Sequence, residues 1–194
     1  VTLQAARILQ ETCLQLTQGQ YLDIAYENRA DLSLESYWAM VSGKTAALLS
    51  ACTEIGAWVA GAEEHLRQAY RQFGHALGLA FQAQDDLLGI WGDTALTGKS
   101  NESDLVEKKK SLPVIYGLTR AGPFAQRWLR GSITPAEVPD LAAQLASEGA
   151  LEYTREAASR LTRQAVEALQ QTHPQGQAGQ ALFELTHQLL DRNR

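Results

Sequence analysis

Apolar residues return at helical period along nearly the whole chain, and no segment shows the alternation of a half-buried strand. Near the start, Leu3, Ala6, Ile8, Leu9, Cys13 and Leu16 set the pattern. A chain so patterned buries its apolar surface by packing helix on helix. The predicted fold class is therefore all-α, a bundle of long, mostly antiparallel helices. The 194 residues suffice for a sizeable core. No repeat, low-complexity tract or linker interrupts them, so residues 1–194 read as a single domain.

Local signals divide this pattern. Residues 2–28 read as one helix, eased at Gly19. Ser33 is the expected N-cap of a helix running through Met40, Lys44 and Leu49 to about Ala60, and Gly61 ends it. Ala62 to Trp91 form the next helix, where Gly74 and Gly78, four apart, mark close helix contact. Residues 92–107 are polar and read as a loop, and Lys108 to Thr119 resume a helix with Pro113 in its first turn. Thr134-Pro135-Ala136-Glu137 combines an N-cap threonine, a proline at the first helical position and a capping-box glutamate. Further helices are expected near 135–147 and 149–171, then a turn at 173–176 and a last helix from about Ala178 to Arg192.

Composition narrows the function. A formal net charge of -5 argues against nucleic acid or an anionic membrane surface as partner. Cys13 and Cys52 lack metal-ligand spacing and read as buried thiols of a reducing, cytoplasmic compartment. The histidines are scattered, which disfavours zinc. Thr45 to Ala62 is the one membrane candidate, but Glu54 interrupts it and its Ala and Gly content suits a buried helix, so no transmembrane segment is expected. No signal peptide is seen, and Val1 opens inside a helical pattern, as expected of a chain whose N-terminal helices are missing.

Three clusters carry chemistry. Gln82, Asp85 and Asp86 share a helical face, and Asp93 returns to it. Two hard carboxylates with no basic residue within a turn suit Mg²⁺, although an isolated Asp-Asp pair also fits a solvated acidic turn. Gly43-Lys44-Thr45 puts a lysine and a hydroxyl side by side in a stretch otherwise rich in Ala and Leu. Lys44 either points inward toward an anion or runs out to the surface. Gly98-Lys99, Asp104 and Lys108-Lys109-Lys110 add basic groups, and three lysines at a helix start are easier to understand if one faces a bound anion. Carboxylates for Mg²⁺ and lysines for phosphate oxygens are together the equipment for holding a diphosphate and stabilising it as a leaving group. No Gly-rich triphosphate loop is present.

These residues resemble the trans-isoprenyl diphosphate synthases, the polyprenyl synthetases. Gly19-Gln20 with Leu22-Asp23 is similar to the family's GQ..D helix, and Tyr37 through Lys44-Thr45 and Leu48-Leu49 to its Y...KT..L helix. Phe81-Gln82 with Asp85-Asp86 is similar to its second aspartate-rich motif, and Gly98-Lys99, Asp104, Lys109 and Pro113 to its GK...D....K...P segment. The match is close over roughly residues 10–120. The resemblance implies that Lys44 contacts the allylic diphosphate with Thr45 and Gln82 nearby, that Asp85 and Asp86 bind Mg²⁺, and that Lys99 and Lys109 assist. It also implies the all-α fold, a homodimer, and condensation of isopentenyl diphosphate with an allylic prenyl diphosphate.

Two departures stand out. Gly89 occupies the third acidic position of the family's DDxxD, so weakened or rearranged metal binding is expected, with Asp93 able to assist through water. The family's first aspartate-rich motif is absent and belongs upstream of Val1. Two other readings therefore stand beside the prenyltransferase. Gly89 motivates a non-catalytic partner subunit. A class I terpene cyclase also ionises allylic diphosphates, and the order of Gln82, Lys99 and Lys109 argues against it.

Overall fold

The structure is a computed structural model and describes residues 2–29, 31–92 and 103–190. Among the described residues every regular element is helical. In chain order these are α1 (Thr2–Tyr26), α2 (Leu34–Val41), a π turn (Ser42–Ala46), α3 (Ala47–Val59), α4 (Glu64–Trp91), α5 (Ser103–Val106), α6 (Leu112–Arg120) and α7 (Pro123–Trp128). A 3₁₀ turn (Pro135–Glu137) then leads into α8 (Val138–Ser147), α9 (Ala150–Gln171) and α10 (Gly176–Leu190).

Most boundaries follow local chemistry. The Ser33 hydroxyl accepts from the Ser36 N–H at 3.2 Å and caps α2. Gly61, at φ 72°, ends the α3 run in the left-handed conformation that glycine adopts without strain. The Thr134–Glu137 capping box forms, with the Thr134 N–H donating to Glu137 Oε2 at 2.9 Å.

Three expectations need correction. The helix from Ser33 to Ala60 is broken by the π turn, which carries Lys44 and Thr45. The polar stretch 92–107 contains α5, and Lys108 does not begin a helix: it sits at φ 54°, and α6 starts at Leu112. Cys13 and Cys52 are exposed and unpaired rather than buried. Helix α7 shows no period over its six residues, and only Pro123 in its first turn marks it in the sequence.

Helix α4 is the central element, packed between α3 and α9. It runs antiparallel to both. On the α3 side, Ser50 and Thr53 donate to the carbonyls of Arg71 and Tyr70, while a Cβ on Gly78 would lie 2.6 Å from Ala46 Cα. On the α9 side, Ala83 and Leu87 cluster with Ala157 and Ala158, whereas Phe73, Leu77 and Ala80 cluster with Leu161, Ala165 and Leu169. Higher-numbered residues of α4 thus meet lower-numbered residues of α3 and α9. A further cluster joins Leu105, Val114, Phe124, Trp128 and Leu145 behind α5, α6 and α7. No described helix is long and apolar enough to cross a membrane.

Small residues bring the site-bearing elements together. A Cβ on Gly19 of α1 would lie 2.6 Å from the Gly43 carbonyl carbon, and one on Gly43 would lie 2.9 Å from the Gln15 carbonyl oxygen. The α1 backbone therefore rests directly on the π turn. Gly74 approaches Leu49 as closely, so the Gly74/Gly78 pair is a helix contact, as its spacing predicts.

Candidate active site

The site forms where the C-terminal half of α4 meets α2, the π turn and the segment before α6. Its centre is Asp86, whose side chain is 1% exposed. Oδ2 accepts from the Tyr37 hydroxyl and from the Leu112 backbone N–H, each at 2.7 Å. Oδ1 accepts from the Gln82 amide at 3.0 Å and from the Lys109 ammonium at 3.3 Å. A carboxylate offers about four lone-pair sites, so this one is fully subscribed. The Leu112 N–H belongs to the first turn of α6, where Ser111 makes no side-chain cap, so Asp86 caps that helix from α4.

The neighbouring charges follow from burial and pairing. Burial, and then the Asp86 charge, raise the Tyr37 phenol well above its ordinary range and keep it a neutral donor. Lys109 also reaches Asp104 Oδ2, at 3.2 Å. Burial opposes the Lys109 charge, but Asp86 and Asp104 outweigh it and hold the amine protonated above the ordinary lysine range. Burial pushes the Asp104 carboxyl up, Lys109 pulls it part of the way back, and Asp86 adds to the rise.

Adjacent lysines are turned to different duties. Lys108 donates to the carbonyls of Trp128 at 2.8 Å and Gly131 at 3.0 Å, with its amine 4.9 Å from the Trp128 ring centroid. It therefore ties the segment to the end of α7 while Lys109 turns in toward Asp86. Thr45 donates to the Gln82 carbonyl oxygen at 3.2 Å, which extends the network to the π turn. Lys44 pairs with Asp23 of α1, and both side chains are about a third exposed.

Thr45, Gln82, Asp86 and Lys109 are thus one connected network, with Asp85 half-buried beside it and Lys44 on the adjoining turn. Lys99 and Asp93 lie outside the described residues. Sequence reasoning assigned no role to Tyr37, Asp23 or Asp104. All three stand inside the motif segments, but their partners lie on other elements, so no local spacing reveals them. A cleft of about 1050 Å³ opens nearby between α1, α3, α4 and α9 and includes Gly19, Ser42 and Gly43 in its wall. It does not include Asp86 or Lys109, so the polar network rather than this cleft defines the candidate site.

The sequence profile described as polyprenyl synthetase matches residues 1–148. The chain belongs to the polyprenyl synthetase family. It is 36% identical to (2E,6E)-farnesyl diphosphate synthase of Mycobacterium tuberculosis, over 97% of this chain and 55% of that protein. Among solved structures, geranylgeranyl pyrophosphate synthetase from Pyrococcus horikoshii superposes with a TM-score of 0.90 at 28% identity, over 97% of this chain and 58% of that one. Geranylgeranyl pyrophosphate synthase from Corynebacterium glutamicum, complexed with isoprenyl diphosphate and magnesium, superposes with a TM-score of 0.86 at 28% identity, over 97% and 55%. The chain spans a little over half the length of these relatives.

The donor set suits a hard cation. Mg²⁺ keeps several waters and takes one or two carboxylates alongside substrate phosphates. Asp85 and Asp86 are adjacent carboxylates of that kind, but all four lone-pair sites of Asp86 are taken by protein donors, so it can take a cation only by giving one of them up.

Proposed function

We propose that the full-length protein is an Mg²⁺-dependent trans-prenyltransferase that condenses isopentenyl diphosphate with an allylic prenyl diphosphate to make a longer trans-polyprenyl diphosphate. The observation that carries this reading is the Thr45–Gln82–Asp86–Lys109 network beside Lys44, in a chain of the polyprenyl synthetase family. Lys44, Lys99 and Lys109 bring positive charge to the allylic diphosphate, and Thr45 and Gln82 orient it. Asp85 and Asp86 would hold Mg²⁺, Asp86 by exchanging one of its four donors. The ion would supply charge neutralisation to the departing diphosphate.

The side chains act on the same charge. As the allylic C–O bond breaks, its electron pair leaves on the diphosphate oxygen, where the lysine ammonium groups stabilise the growing charge. The double bond of isopentenyl diphosphate then attacks the allylic cation, and loss of a proton restores the alkene. A homodimer and a cytoplasmic setting belong to the same proposal. The unpaired Cys13 and Cys52 suit a reducing compartment.

The test is incubation of full-length protein with Mg²⁺, isopentenyl diphosphate and allylic primers of increasing length. A lengthened prenyl diphosphate is expected. No product from any primer rejects the proposal.

A further inference from the structure

Gly89 follows Asp86 by three residues and shares its face of α4. A Cβ built on Gly89 would meet the Asp104 carboxylate, with Cγ at 2.6 Å, Oδ1 at 3.1 Å and Oδ2 nearer still. Asp104 therefore fills the volume that a side chain at residue 89 would occupy. It is buried, it comes from α5, and its Oδ2 accepts from Lys109. The Lys109 N–H also donates to the Asp104 backbone carbonyl at 2.9 Å, so acid and lysine are tied twice. Leu105, next to Asp104, is fully buried in the cluster that contains Ile90, next to Gly89. The two segments are thus held in register by packing.

An ammonium group has three N–H donors. Those of Lys109 reach Asp86 and Asp104, and its side chain remains 38% exposed. Two anchors fix the direction of the third donor, so less ordering remains to be done when an anion arrives.

We propose that Asp104 is a positioning residue for diphosphate binding: it takes the space left open by Gly89 and from there holds the Lys109 ammonium beside Asp86. Gly89 is then a requirement of this arrangement, not simply a lost acidic ligand. The inference rests on the diphosphate site proposed above.

Gly89→Ala adds neither charge nor a polar group, so it tests the idea cleanly in the full-length protein. The readout is the affinity for inorganic diphosphate at fixed Mg²⁺, by calorimetry, with melting temperature followed in parallel. Gly89→Ala should weaken binding about tenfold, but less than about twofold when Asp104→Ala is already present. Equal effects in both backgrounds, or a lowered melting temperature with unchanged affinity, overturn the positioning role. A second arm holds if Gly89→Ala folds poorly. Asp104→Asn leaves residue 89 untouched, keeps the shape of the side chain and removes its charge toward Lys109, and should weaken diphosphate binding about tenfold. Unchanged affinity in Asp104→Asn overturns the proposal. If the unsubstituted protein binds no diphosphate, the functional reading fails first and takes the positioning role with it.

Discussion

Replacing Tyr37 with phenylalanine isolates one hydrogen bond of the site. The hydroxyl lies 2.7 Å from Asp86 Oδ2, and both side chains are almost wholly buried. Phenylalanine keeps the ring and its edge contact with Trp38, at 5.0 Å and 77°. The change is therefore one oxygen, with little room for water in its place. A hydrogen bond to a charged group contributes about 1.5–3 kcal/mol. Three donors remain on Asp86, which places the loss near 2 kcal/mol, about thirtyfold in the folding equilibrium. Urea unfolding should show a lower midpoint at unchanged slope. With Asp86→Asn already present, the acceptor is neutral and the same change should cost about half as much. A loss below about 0.5 kcal/mol, or equal losses in both backgrounds, would refute the view that the hydroxyl stabilises a buried Asp86 charge.

Three further outcomes are expected. Lys44→Ala should lower kcat/KM about a hundredfold, on the order of 3 kcal/mol, and unchanged turnover in a steady-state assay removes Lys44 from the site. Gly78→Ala puts a Cβ 2.6 Å from Ala46 Cα, a backbone atom that cannot rotate away, so denaturant unfolding should register a loss of about 1–3 kcal/mol. Glu137 is held at about 2 by its hydrogen bond from Arg127, then by the Thr134 N–H and hydroxyl. Because its folded value is depressed, its stabilisation is complete above the ordinary 4.5 and is lost as pH falls from there through about 2. Wild-type protein should therefore lose its stability advantage over Glu137→Gln across that window, and a constant difference in acid unfolding curves would contradict this.

The parts of the fold legible in the sequence are those set by local chemistry. Ser33, Gly61 and the Thr134–Glu137 box each mark a boundary through bonds or φ values within a few residues. The π turn and the left-handed Lys108 depend on distant partners, Gly19 in one case and Trp128 in the other, so periodicity does not show them. The candidate site divides in the same way. Gln82 and Asp86 are neighbours on one helix and could be paired from spacing. Tyr37 with Asp86, Lys44 with Asp23, and Gly89 with Asp104 join different helices, and only the packed bundle reveals them.

The π turn has a consequence for how this segment can vary. It accommodates one residue more than an α-helix would over the same span, and each α-helical residue turns the chain roughly 100°. Tyr37 before the turn faces Asp86, while Ser50 and Thr53 after it face the carbonyls of Arg71 and Tyr70. A chain shortened by one residue here would remain helical and nearly unchanged in composition. It would still rotate one set of partners away from the other by more than a quarter turn. This stretch therefore tolerates a change of residue more readily than a change of length.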